Sequence, residues 1–221
     1  MISKAAPDTN HSAVVEHYAR LAPKYDRRWD RYTRRTLAAA MSMMDLSGDP
    51  SILDVACGTG RLAQMALDRN PRVRIMGVDL SPEMIEVAKQ RIPESPSVSW
   101  AVSPAEQLPA DDCQFDIVTC ANAFHLVADP AKCLAEFRRV LKPGGTLIII
   151  DWCREFWTVW LLLRLSRLFG KQYRNIETLK GLSRTLEAAR FSVIHKDKFK
   201  ATWFWGMMCV VAQKPHTETG R

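Results

Sequence analysis

Two carboxylates and a glycine pair carry the most chemistry in this sequence. The stretch Asp54-Val55-Ala56-Cys57-Gly58-Thr59-Gly60 follows the apolar run Ile52-Leu53. Glycines at such a place let the backbone turn tightly and come close to a ligand. If a helix starts there, its first amides are free to meet a polar group. Asp79 stands 19 residues beyond Gly60, at the end of the run Val73–Val78. A carboxylate so placed suits the two hydroxyls of a ribose. Gly58-Thr59-Gly60-Arg61-Leu62-Ala63 also fits the G-x-G-x-x-A spacing of dinucleotide sites, so a nicotinamide cofactor is one reading. A bare strand-to-helix turn is the bland one.

The elements that must hold these residues alternate. Ser51–Ala56, Val73–Asp79, Val98–Val102, Phe115–Cys120 and Thr146–Asp151 read as short, buried strands. Helices are expected at Arg61–Asp68, from Ser81-Pro82-Glu83 to Arg91, and over Pro130–Leu141, closed by Lys142-Pro143-Gly144-Gly145. Such alternation predicts a parallel α/β sheet with helices on both faces, and ligands of such sheets bind at the strands' carboxyl ends. Residues 12–44 read as helix, with Pro23 breaking or bending it. After residue 151 the pattern changes. An apolar run covers Phe156–Phe169, an amphipathic helix Ile176–Ala189, and two strands Phe191–Phe199 and Ala201–Ala212, with a short break at Lys200 suiting an antiparallel pair.

Composition narrows the classes. The chain has 221 residues, 47% hydrophobic and 25% charged, which fits one globular domain. No stretch reaches the length of a transmembrane helix, and the first ten residues lack the apolar core of a secretory signal. Six cysteines show no paired metal spacing and are expected to be reduced thiols in a cytoplasmic protein; no metal site is expected. The formal net charge is +7 and is uneven. Lys and Arg outnumber Asp and Glu by 8 to 4 before residue 36 and by 13 to 5 after residue 153, but are outnumbered 10 to 15 between. Five of seven tryptophans lie after residue 151. Basic, Trp-rich ends suggest an anionic partner surface; no RNA-binding module is recognisable, so nucleic acid is not expected.

Ile52–Gly60 resembles the first motif of class I S-adenosylmethionine-dependent methyltransferases. Gly77-Val78-Asp79-Leu80-Ser81-Pro82-Glu83-Met84-Ile85 resembles their second motif in its ubiquinone/menaquinone-type variety. Ala105-Glu106-Gln107-Leu108-Pro109, Phe115-Asp116-Ile117-Val118 and Arg139–Gly145 resemble the later motifs, in order. The resemblance implies a Rossmann-like, mostly parallel seven-stranded sheet with a C-terminal antiparallel hairpin. It also implies a helical N-terminal lid over residues 1–44, a cofactor-binding core over 45–151, a helical insertion over 152–175, a closing helix and strand pair over 176–213 and a loose tail over 214–221. Asp54, Ala56, Cys57, Gly58 and Gly60 would cradle the methionine part of S-adenosylmethionine, which leaves as S-adenosylhomocysteine. Asp79 would hold the ribose, Leu80 and Met84 the adenine, Ala105 and Glu106 the adenine edge, and Ala121 and Asn122 the methyl-transfer site. Related sequences often read G-D-A-E where this chain has Ser103-Pro104-Ala105-Glu106. The Asp that reaches the adenine amino group is replaced by Pro104, leaving backbone groups or Ser103.

Methyl transfer from a sulfonium is an in-line displacement that needs alignment and exclusion of water. Candidate catalytic residues are His125, Tyr18, Tyr25 and Asp151. His125 resembles the family's L-H-x-V histidine, and the tyrosines its N-terminal Y-x-x-x-A-x-x-Y-D segment. Their alternatives are structural: a backbone-bonded His, helix packing for the tyrosines, and a helix N-cap for Asp151. Arg164, Arg167 and Lys171 make a basic stripe on the apolar insertion, the pattern of a helix in a membrane interface. Its alternatives are a lid over a greasy pocket or a homodimer contact. The expected acceptor is lipophilic, a quinone, isoprenoid or phospholipid headgroup. A soluble acceptor, or a partner protein that binds the cofactor without turnover, are the rivals.

Overall fold

In the computed structural model, residues 9–168 and 175–216 are described. Two helices open the chain, α1 (Thr9–Leu21) and α2 (Tyr25–Ser42), joined by a 3₁₀ turn over Ala22–Lys24. The break expected at Pro23 is this turn, which has Pro23 inside it. Strands and helices then alternate: β1 (Ser51–Val55), α3 (Arg61–Arg69), β2 (Arg74–Asp79), α4 (Pro82–Arg91), β3 (Val98–Val102), β4 (Phe115–Ala121), α5 (Pro130–Val140) and β5 (Leu141–Trp152). After β5 come α6 (Trp157–Leu168), α7 (Leu179–Ala188), β6 (Ser192–Lys200) and β7 (Gly206–Gln213).

One seven-stranded sheet has the order β3-β2-β1-β4-β5-β7-β6. The first five strands are parallel, and β7 runs antiparallel to β5 and β6. The order reverses direction at β1 and β4, and a crevice opens at the carboxyl ends of the strands there. Alternation along each strand divides the core in two. Ile52, Ile75, Ile117 and Ile148 pack with Leu62 and Ala66 of α3, Ala88 of α4 and Met41 of α2. Leu53, Val118, Leu147 and Ile149 pack on the opposite face with Phe137 of α5 and Leu182 and Leu186 of α7.

Three boundaries differ from the sequence reading, each for a local reason. Leu141, expected as the last helical residue, and Lys142-Pro143-Gly144-Gly145, expected to close the helix, already belong to β5: Leu141 pairs with Phe115, and the Gly144 amide donates to the Lys214 carbonyl at 2.8 Å. The helix expected from Ile176 begins at Leu179, because the Thr178 hydroxyl caps it by accepting from the Gly181 amide. The hairpin turns over residues 201–205 rather than at Lys200. There the Thr202 hydroxyl accepts from the amides of Phe204 and Trp205, and the Ala201 amide donates to the Trp205 carbonyl. Among the described residues no helix is long and apolar enough to cross a membrane, and no cluster of His, Cys, Asp and Glu could hold a metal.

Candidate active site

The carboxyl ends of β1, β2 and β4 and the helices α1 and α2 enclose a cleft of about 810 Å³, its open mouth included. Drug-sized ligands occupy sites of this scale. Tyr18, Tyr25, Ala56, Gly58, Asp79, Leu80, Met84, Ser103, Ala105, Glu106, Ala121 and Asn122 all line it. Twelve positions chosen from the sequence therefore meet on one surface, although they come from five separate segments.

The loop after β1 turns through positive φ at Ala56, Gly58 and Gly60. A Cβ on Gly58 would meet nothing within 4 Å, so a ligand can approach this backbone directly. Gly60 does different work: a Cβ there would stand 2.8 Å from the Trp100 ring and 3.2 Å from Ala88, so this glycine permits close packing of loop and α4. It does not reach the cleft wall.

Asp79 lies at the switch point. Its Oδ2 accepts the Gly58 amide at 2.8 Å and its Oδ1 the Ser81 amide at 2.9 Å. Each carboxylate oxygen retains a second lone pair, enough for two hydroxyls. Burial raises its pKa from the ordinary carboxylate value, against the lowering effect of the backbone amides.

Asp54 and Cys57 lie beneath the loop rather than on the cleft, in a smaller pocket shared with Tyr25, Gly58 and Asn122. Asp54 is fully buried and accepts the Thr119 hydroxyl at 2.7 Å. Burial pushes its pKa up to about 7; the Thr119 hydrogen bond opposes this and the Asp79 charge adds to it. A cation bound nearby would relieve that cost. Burial also raises the Cys57 thiol, so it is no nucleophile at neutral pH.

Two bridges fasten the lid. Asp26 of α2 accepts the Thr59 hydroxyl at 2.7 Å and pairs with Arg91 of α4, whose Nε donates to the Thr59 carbonyl at 2.8 Å. Asp30 accepts from Arg61 of α3 at 2.9 Å. Tyr25, next to Asp26, has its pKa pushed up to about 12 by burial and then by the charges of Asp79 and Asp26. At neutral pH it stays protonated, able to donate a hydrogen bond but not to act as a phenolate base. Glu106, expected along a ligand edge, spends Oε1 on the amides of Ala128 and Asp129, so it also pins the loop after β4.

His125 and Asp151 stand behind this wall, not on it. The sequence sets Asp151 either facing an acceptor or capping the next helix, and the structure gives it neither place. It is buried at the end of β5 and accepts the His125 amide, His125 Nδ1 and the Trp152 amide, each at 2.7 Å. A carboxylate only accepts, so Nδ1 carries the hydrogen. The His125 ring stacks on Trp152 with centroids 4.3 Å apart. The pair fixes the loop over residues 123–127, of which Ala123, Leu126 and Val127 line the cleft.

Several participants escape the sequence reading. Tyr32 lies seven residues beyond Tyr25, nearly two helical turns on the same face. That spacing could have revealed it. Its hydroxyl donates to Asn122 Oδ1 and accepts from Trp152 Nε1, both at 2.8 Å, while Asn122 Nδ2 donates to Thr36 at 2.9 Å. Nothing local in the sequence marks Trp152 or Thr36.

Residues 53–149 match the family model described as a methyltransferase domain. A demethylmenaquinone methyltransferase of Deinococcus radiodurans is 39% identical over 148 residues, which are 63% of this chain and 60% of that protein. The match thus spans less than two thirds of that relative. A ubiquinone/menaquinone biosynthesis C-methyltransferase of Geotalea daltonii is 32% identical over 210 residues, 86% of this chain and 85% of that protein. Among solved structures, a SAM-dependent methyltransferase of Aquifex aeolicus shares the fold with TM-score 0.65 at 20% identity, over 82% of this chain and 92% of that one. The donor set of the cleft, the buried Asp54 below and the half-buried Asp79 beside an open glycine backbone, fits S-adenosylmethionine, with an ammonium and a ribose to place. Motif order, sheet order and near full-length similarity agree: the chain belongs to the class I S-adenosylmethionine-dependent methyltransferases of the ubiquinone/menaquinone type.

Proposed function

We propose that this chain transfers a methyl group from S-adenosylmethionine to a ring atom of a quinone-type, lipophilic acceptor. The observation that carries the reading is the convergence on one cleft of the glycine loop, Asp79 and the end of β4. When bound, the cofactor supplies an electrophilic methyl on a sulfonium. Asp79 holds the ribose hydroxyls, Leu80 and Met84 pack against the adenine, and Asp54 balances the ammonium from below the loop. Tyr18 and Tyr25 close the cleft and keep water from it. Asn122 orients the acceptor, its amide fixed by Tyr32 and Thr36. His125 and Asp151 act through the 123–127 loop as positioning residues.

The acceptor class rests on relatives whose names place them in menaquinone and ubiquinone synthesis. The reduced ring is the nucleophilic form of a quinone, so reduced demethylmenaquinone is the substrate to try first. A phospholipid headgroup has no comparable support. A cytoplasmic position at a membrane surface belongs to this reading as well. Of the three cations expected to serve it, Arg164 is described on α6, Arg167 is described in its backbone only and Lys171 lies outside the described residues.

Calorimetry with S-adenosylmethionine and S-adenosylhomocysteine, followed by methyl transfer to reduced demethylmenaquinone, tests the proposal. Tight binding and a methylated product are expected. Binding without turnover across quinones and soluble acceptors would favour a non-catalytic cofactor-binding protein, and spectroscopic binding of NAD(P)H in its place would favour an oxidoreductase.

A further inference from the structure

Helix α6 is apolar on both its inner and its outer face. A helix on a globular protein buries its apolar stripe and shows its polar one. Here the inner face buries Thr158, Val159 and Ser166, while on the outer face Trp157 is 64% exposed, Trp160 49%, Leu161 39% and Leu165 45%. These four fall at i, i+3, i+4 and i+8, one continuous face, with Arg164 at i+7 among them. The buried hydroxyls are satisfied: Thr158 Oγ1 donates to the Phe204 carbonyl at 2.5 Å and Ser166 Oγ to the Leu163 carbonyl at 3.0 Å. The Thr158 bond sets the first turn of α6 against the 201–205 turn, which carries Trp203 at 77% exposure. Scattered exposed apolar residues are ordinary; three tryptophans and two leucines on two touching elements are not.

The surroundings of this face are cationic. The Arg164 guanidinium lies 5.3 Å from the Trp160 ring. Arg35 of α2 donates to the Ala201 carbonyl at 3.3 Å, so α2 flanks the turn and brings its exposed Arg28 and Arg31 alongside. A second copy would bring the same arginines and the same formal charge of +7 against them. An anionic bilayer meets both features: tryptophan and leucine enter the headgroup region, and arginine meets lipid phosphate.

We propose that α6 and the 201–205 turn form a docking face for an anionic lipid bilayer. The proposal rests on the lipophilic-acceptor reading above and gives it a route. The turn lies at the carboxyl end of β5, where Trp152 pairs with Met207, the same end of the sheet at which the cleft opens. Trp205 of the turn stacks on Trp152 at 4.5 Å, and Trp152 is hydrogen-bonded to Tyr32, the partner of Asn122 in the cleft. The docked protein therefore presents its cleft beside the bilayer in which a prenylated acceptor resides.

Sedimentation of the full chain with phosphatidylcholine vesicles, with and without about 30 mol% phosphatidylglycerol, tests this. The protein should pellet with the anionic vesicles, less so at high salt, and its tryptophan fluorescence should be quenched by brominated lipid. Combined Trp157→Ser, Trp160→Ser and Trp203→Ser should weaken partitioning at least about tenfold, and Arg164→Glu about fivefold. Cofactor affinity, measured beside each, should stay unchanged, since none of these residues lines the cleft. Wild-type protein that binds cofactor but neither pellets nor is quenched overturns the docking face. So does a triple variant that pellets unchanged, or one that only converts a dimer to a monomer. Protein that pellets through these residues yet binds no S-adenosylmethionine keeps the docking face and overturns the methyltransferase reading.

Discussion

Tyr32 and Asn122 lie 90 residues apart in sequence and share a 2.8 Å hydrogen bond that joins the lid to the end of β4. Asn122 sits at positive φ, a conformation asparagine adopts more readily than most residues. Tyr32 fixes the Asn122 side chain while accepting from Trp152. Tyr32→Phe leaves the Trp152 N–H and one Asn122 lone pair without this partner. Unfolding should become easier by about 1–3 kcal/mol. Methyl transfer should lose more in kcat than in KM, because acceptor alignment is what slackens; thermal melts and steady-state kinetics check both.

Asp79→Ala removes the partner of the Gly58 amide and, in the proposed function, the acceptor for two ribose hydroxyls. Hydrogen bonds to a charged group contribute about 1.5–3 kcal/mol each, so S-adenosylhomocysteine affinity should fall at least about a hundredfold. Calorimetry reads this directly. Affinity within threefold of wild type would remove Asp79 from the site.

Pro104 lines the cleft and offers no side-chain acceptor. Pro104→Asp introduces the carboxylate that the family resemblance implies at this position. Cofactor affinity should rise about tenfold, the scale of one good hydrogen bond to a charged group. An unchanged or weaker affinity would show that this chain holds adenine without that position.

Asp54 gives the apo protein a pH signature. Its folded pKa, about 7, exceeds the ordinary value of 3.8. Below the ordinary value both folded and unfolded chains carry the proton and no penalty exists. Between the two values the unfolded chain ionises first, so stability is lost as pH rises and the loss is complete above about 7. Asp54→Asn should therefore gain stability relative to wild type from pH 4 to pH 8, a difference read from paired thermal melts. If Asp54 balances a bound ammonium, the same variant should also lose the rise in wild-type cofactor affinity through pH 7.

Gly77 sits on β2 where a Cβ would stand 2.2 Å from the Trp100 ring and 3.0 Å from Cys57 Sγ. Gly77→Ala should destabilise by about 1–3 kcal/mol through overpacking. A thermal melt should show it, with partial recovery in the double variant that also carries Trp100→Phe.

Much of the fold was legible because its signals are local. Buried strands read as apolar runs, and the Ser81-Pro82-Glu83 start is realised, with Ser81 accepting from the Met84 amide. The twelve cleft residues were found by motif position, which fixes them relative to strand ends. What escaped depends on contacts between distant segments. Asp151 reads as a cap or an exposed base until His125, 26 residues earlier, folds against it. The turn at 201–205 depends on how one hydroxyl, that of Thr202, spends its lone pairs. The apolar content of α6 is plain in the sequence, but which side faces outward depends on distant contacts, among them the Thr158 bond to the Phe204 carbonyl and the burial of Val159.

The border of the sheet has a consequence of its own. β6 is an outermost strand, nine residues long and paired on one side only. Such a border is a template onto which another chain can zip. Along it Lys196, Lys198 and Lys200 recur at every second residue, all exposed. Two such borders brought together would align like charges, so crowding on a two-dimensional surface would raise local concentration without inviting the strands of neighbouring molecules to merge.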